Sequence, residues 1–110
     1  MKGSNLGEFE ELVMLAIGVL YPDAYGVAIK DEIIARAGRS VTLSAVHASL
    51  HRLEEKGFLQ SEFGEASQKR GGKRKKNFYI TAFGAKTLEE VKSLREQMWG
   101  DIGKVALQGN

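Results

Sequence analysis

Near residue 57 the hydrophobic pattern of this chain changes period, and few folds accommodate the change. Upstream, apolar residues recur at spacings of three and four, the mark of helices with one buried face. Phe9, Leu12, Val13, Ala16, Ile17 and Leu20 predict a first helix over residues 7–20. Glu8, Glu10 and Glu11 fall in its first turn, where the helix dipole favours acids. Met14, Leu15 and Val19 make the rest of its surface apolar as well, so burial from more than one side is expected. Tyr21-Pro22-Asp23 breaks this helix, and Asp23 is a candidate cap for a second one over 24–37. Its inward stripe is Tyr25, Ala28, Ile29, Ile33 and Ala37, and Gly38 is the expected C-cap. Thr42 is the candidate N-cap of a third helix over 43–56, with Val46, Ser49, Leu50 and Leu53 inward and Gly57 as its stop.

Downstream the pattern alternates. "FLQSEF" (58–63) and "NFYIT" (77–81) read as two short strands joined by about a dozen residues rich in Gly, Ser, Lys and Arg, hence a hairpin with a long tip. From Ala82 a long helix follows, with Leu88, Val91, Met98, Ile102 and Val105 on one seam and Arg95 at the skipped position. Such a seam suits packing against another helix. The expected fold is therefore mainly α with a small β-hairpin. A winged helix-turn-helix occupies residues 1–81, and a long C-terminal dimerisation helix occupies 82–110.

Charge sharpens this reading. The net charge is only +2, but its distribution is uneven. Residues 1–66 carry 6 basic and 10 acidic side chains, whereas residues 67–81 carry 6 basic and none acidic. A cationic hairpin on a neutral to acidic body is the electrostatic footprint expected of a polyanion-binding wing. The apolar run Leu12 to Leu20 is too short to span a bilayer, so no membrane partner is expected, and the absence of cysteine fits the expected cytoplasmic location.

Catalysis finds no support. Cysteine is absent, which excludes thiolate metal sites and a cysteine nucleophile. There is no Gly-x-Ser-x-Gly elbow and no phosphate-cradling glycine loop, and Gly71-Gly72 fits a hairpin tip. His47, His51 and Glu55 share one helix face at four-residue spacing, but zinc needs a fourth ligand and supporting groups that the sequence does not offer. No metal and no cofactor are expected.

Three stretches together resemble the PadR-type transcriptional regulators. "LGEFEELVMLAI" with "YGVAI" is similar to that family's first two helices. "VTLSAVHASLHRLEEKGFL" is similar to its recognition helix and exit into the wing, and "GGKRKKNFYITAFG" to its second wing strand and the Thr-x-x-Gly start of its last helix. The ordered set covers most of residues 6–90, and the short C-terminus resembles the subgroup with a single C-terminal helix. The resemblance implies a homodimer, clasped by first and last helices, that binds near-palindromic double-stranded DNA, usually as a repressor, and in many members responds to a small hydrophobic or phenolic effector. Two positions depart from the family's usual residues, which are Tyr where this chain has His47 and often Gly where it has Ser44.

Helical geometry selects the reading residues. Val46, Ser49, Leu50 and Leu53 lie on one side of the third helix, and Ser44, Ala48, His51 and Glu55 lie opposite, flanked by His47 and Arg52. With groove contact concentrated toward the N-terminal part of such a helix, the candidate DNA-binding residues are Thr42, Ser44, Ala45, His47, Ala48, His51 and Arg52. The wing adds Lys69, Arg70, Lys73, Arg74, Lys75 and Lys76 as phosphate contacts. The candidate dimer or effector interface comprises Phe9, Leu12, Val13, Val91, Met98, Trp99 and Ile102, with Trp99 either a packing anchor or one wall of a flat apolar pocket. Two other readings stay open: a winged-helix protein-interaction module, and a DNA-binding regulator with no small-molecule effector.

Overall fold

A computed structural model describes residues 6–66 and 74–109. In chain order the elements are α1 (Glu8–Leu20), α2 (Gly26–Ala37), α3 (Leu43–Glu55), β1 (Leu59–Ala66), β2 (Arg74–Ile80) and α4 (Ala82–Asp101), then a short 3-10 turn over Lys104–Leu107. Three helices, an antiparallel hairpin and a long final helix make the winged helix-turn-helix arrangement.

The core lies where α1, α2 and α3 meet the base of the hairpin. Val13, Met14, Ile17, Ile29, Val46, Leu50, Leu53 and Phe58 are essentially inaccessible to water, with Ala24, Ile33, Leu59 and Phe78 closing the edges. The predicted stripe of α3 is buried as a set, including Ser49. Thr42 caps that helix, its Oγ1 accepting the Ala45 amide hydrogen at 3.1 Å. After α2, Gly38 takes the left-handed conformation (φ 64°) and donates its N–H to Ile34 O at 3.0 Å. That geometry favours glycine because a Cβ is disfavoured at positive φ.

Several expectations need correction. Asp23 does not cap α2, which begins at Gly26 with Tyr25 at the cap position. The Asp23 N–H instead closes a turn onto Leu20 O at 2.8 Å, and Ala24 O accepts the Phe78 N–H at 2.8 Å. Asp23 is thus held by the end of α1 and Ala24 by the wing. Ala37 is exposed, and both strands run further toward the tip than their alternating cores predict. The strands pair Leu59 with Ile80 through Phe63 with Lys76, with an irregularity between Phe63 and Ala66.

The predicted seam of the last helix is also interrupted. α4 ends at Asp101, so Ile102 is its extended C-cap and Val105 lies in the 3-10 turn. Gly100 and Gly103 supply the reason, since each weakens a helix by about 1 kcal/mol relative to alanine. Only the first two turns of α4 reach the core, through Gly84 and Thr87. Thr81 fixes their direction. Its Oγ1 accepts the Gly84 N–H at 3.0 Å and donates to Gly57 O at 2.7 Å, while its N–H reaches Phe58 O at 3.1 Å. Among the described residues no helix is long and apolar enough to cross a membrane.

Candidate nucleic-acid interface

With the stripe of α3 buried, the opposite face of that helix turns outward. Ser44, Ala45, His47, Ala48 and His51 are all exposed, and together they form a surface of small and polar side chains. Small residues allow close approach of the helix to a groove floor or a thymine methyl, and the polar ones can bond base edges. Thr42 is exposed too, but its hydroxyl oxygen is engaged as the cap.

Beside this face β2 presents cations. Lys75 Nζ stacks 4.4 Å from the Tyr25 ring centroid, and Lys76 Nζ lies 5.7 Å from both the Phe63 and Phe78 centroids. Aromatic faces therefore hold two of the wing's ammonium groups at its base. An open cleft separates helix from wing. His47, His51 and Glu54 line one wall, Lys75, Lys76 and Phe78 the other, and Tyr25, Gly26 and Val27 form the floor. Lys69, Arg70 and Lys73, named from the sequence, lie outside the described residues, and Arg74 is placed through its backbone, at the start of β2.

Arg52 stands apart from the other candidates on α3. Its Nε donates to Glu10 Oε2 at 3.1 Å and its guanidinium also reaches Ser49 Oγ at 3.2 Å. Lys56 Nζ meets the same carboxylate at 3.2 Å, and the Gly7 N–H donates to it at 3.0 Å. Glu10 thus ties the start of α1 to the end of α3, a role that sequence reasoning missed. The available signal was an acid on the buried side of α1, one turn before Val13 and Met14. Its neighbours act in parallel: Glu8 pairs with Arg39 at 2.9 Å and Glu11 with Arg95 of α4 at 2.9 Å.

Burial pushes the Glu10 carboxyl up, but bonds from Gly7, Arg52 and Lys56 outweigh it and hold the group below its ordinary value. A carboxylate lowered on folding stabilises the native state at neutral pH, and that contribution is lost as pH falls through the lowered value. Glu10→Gln should therefore cost about 1–2 kcal/mol at pH 7, since the two cations left behind are near enough to water to hydrate. Urea unfolding at neutral and acidic pH checks this. The gap between variant and parent should narrow in acid, and a constant gap would rule out an electrostatic origin.

The apolar candidates divide. Val13 is 0% exposed and belongs to the core, so it cannot contribute to an interface or effector site. Phe9 is half-buried beneath Arg39, with Cζ 5.5 Å from the ring centroid, and Leu12 and Val91 are half-buried. Met98 (61%) and Trp99 (66%) are largely exposed, and Ile102 projects from beyond the helix end. The structure adds Leu15, Val19 and Leu94 to the exposed apolar set. Grooves flank α1 on both sides, one against α2 at Ile33 and Ala37, the other against α4 at Ala85 and Leu88. No three His, Asp or Glu side chains converge as a metal site among the described residues. His51 Nε2 instead lies 3.3 Å from Glu55 Oε2.

This arrangement has close structural parallels. It matches the crystal structure of a PadR-like transcriptional regulator from Bacillus cereus strain ATCC 14579 with a TM-score of 0.73, 20% identity and 93% of each chain covered. It matches a PadR family transcriptional regulator from Eggerthella lenta DSM 2243 with a TM-score of 0.68 and 27% identity, covering 93% of this chain and 88% of that one. A PadR family transcription regulator from Clostridium difficile R20291 gives a TM-score of 0.62 at 24% identity, covering 91% and 96%. No curated protein sequence matches significantly. The profile described as the transcriptional regulator PadR-like family matches residues 14–90, a span running from the core of α1 through the wing into α4. The chain is a member of the PadR-like family of transcriptional regulators.

Proposed function

We propose that the protein is a dimeric, sequence-specific DNA-binding regulator that reads duplex DNA with α3 and grips its backbone with the wing. The observation that carries this reading is the exposed face of Ser44, Ala45, His47, Ala48 and His51 lying beside the Lys75 and Lys76 strand. Side chains of that kind discriminate base edges, and ammonium groups neutralise phosphates whatever the sequence. Two copies of α3 in a symmetric dimer reach successive major grooves about 34 Å apart, which calls for a near-palindromic site.

The exposed apolar side chains of α1 and α4 support self-association, because clusters of Leu, Val, Met and Trp in water mark interaction surfaces. On this reading α4 of one subunit meets α1 and α4 of the other around Leu15, Val19, Met98 and Trp99. Repression, and its relief by an apolar or aromatic molecule entering beside Trp99, are the finer steps of the proposal, and the family resemblance supports them. Such a ligand acts only if it prefers one spacing of the two reading heads over the other.

Selection of bound sequences from random duplex DNA tests the whole. The expected result is a two-fold symmetric motif, with complexes that dissociate and Trp99 fluorescence that is quenched on addition of planar aromatics. A dimer without DNA affinity even at low salt would favour a protein-interaction module instead. Specific binding that is indifferent to aromatics would leave a regulator without an effector.

A further inference from the structure

Both histidines of this chain lie on α3, and both border the cleft between that helix and the wing. His47 is held closely. Its ring packs against the start of α2, where a Cβ on Gly26 would lie 2.9 Å from Cε1 and 3.3 Å from Nε2. The absence of a side chain at Gly26 is what lets the imidazole sit at the cleft floor. His51 follows one turn later and meets Glu55.

Charged groups face these rings from both sides of the cleft. From β2 come the ammonium groups of Lys75 and Lys76. From the start of α2 there is the neutral phenol of Tyr25 and no acid in the first turn. From α3 itself come Glu55, which pairs with His51, and Glu54, whose Oε2 accepts the Ser61 hydroxyl at 2.6 Å. Among the described residues no ion pair joins His47 to a carboxylate, and the only pair made by the two rings is that of His51 with Glu55. A phosphate diester entering the cleft changes these surroundings. It offsets the lysines and places an anion beside each imidazole, so a group that ionises near neutral pH gains a strong reason to take up a proton.

We propose that DNA binding by this protein is proton-linked, with a backbone phosphate seated between α3 and the wing and a proton taken up by His47 and, to a smaller extent, by His51. The inference rests on the DNA-binding reading above and assigns that face a regulatory property. It also gives His47 a phosphate rather than a base edge as its partner. Linkage fixes the sign: uptake on binding makes affinity rise as pH falls, by up to about tenfold per pH unit for each proton taken up.

The test is titration of the full chain with a fluorescent duplex at about pH 6, 7 and 8 at constant ionic strength. Calorimetry in buffers of different ionisation enthalpy counts the protons. The expected result is roughly tenfold tighter binding at pH 6 than at pH 8, with net uptake at pH 7. His47→Gln should remove most of the uptake, and His47→Gln with His51→Gln should remove all of it. Gly26→Ala keeps both imidazoles but displaces the His47 ring, so it should reduce uptake in a protein whose fold is verified by circular dichroism. Binding that is tight yet independent of pH and buffer overturns the linkage while leaving the DNA-binding reading intact. Uptake that survives both glutamines assigns the proton elsewhere and overturns the role of His47. No binding to any duplex at low salt overturns the DNA-binding reading itself.

Discussion

Gly84→Ala should lower the melting temperature by about 12–24 °C, whereas the same change at Gly100 should leave it unchanged or raise it slightly. A Cβ on Gly84 would sit 2.2 Å from the Phe58 carbonyl oxygen, 3.0 Å from its carbon and 3.1 Å from Met14 Cε. The first two are backbone atoms and cannot swing aside. Relief requires the first turn of α4 to lift off β1, which strains the Thr81 bonds to Gly57 O and Phe58 O and uncovers Met14. Overpacking against a fixed backbone costs about 3 kcal/mol, and each kcal/mol moves the melting point of a domain this size by about 4–8 °C. At Gly100 a Cβ meets nothing within 4 Å, so alanine there only improves helix propensity, by about 0.5–1 kcal/mol. Thermal melts at one fixed protein concentration make the comparison, since self-association shifts apparent stability. Similar melting points for the two variants would mean that α4 does not depend on this close approach.

The same glycine shows how far the sequence could be read. Thr81-x-x-Gly84 was visible as a helix start through the family resemblance, and the cap it forms is a local device. The close approach to Phe58 was not, because it joins positions far apart along the chain. The same division recurs elsewhere. The stripe of α3, its Thr42 cap and the Gly38 stop of α2 were legible from spacing and residue type. The start of α2 was misplaced because Asp23 has a good capping side chain, while the Phe78 bond that holds Ala24 comes from the wing. Periodicity likewise carried the last helix past Gly100 and Gly103, although both glycines weaken a continuous helical seam. Within the candidate interface, the outward face of α3 followed from the inward one. The capture of Arg52 by Glu10 did not, as it pairs residues on separate helices.

Replacing Lys73, Arg74, Lys75 and Lys76 together with alanine should weaken binding to every duplex by at least about a hundredfold near physiological salt, with little loss of preference among sequences. Each neutralised phosphate contributes about −0.9 to the slope of log affinity against log salt. If half of the six basic residues in the wing contact phosphate, a dimer neutralises about 6 phosphates and the slope is about −5. The variant keeps Lys69 and Arg70 alone, so its slope should fall to about −2. Folding should survive the change. Lys75 over Tyr25 and Lys76 beside Phe63 and Phe78 are cation–π contacts near the surface, each worth about 0.5–1 kcal/mol. Loss of affinity with a preserved melting profile would then be a property of charge. A changed salt slope with unchanged base preference places the wing on the backbone and leaves sequence discrimination to α3. A variant that keeps the parent's slope would remove the wing from the mechanism, and its positive charge would need another purpose.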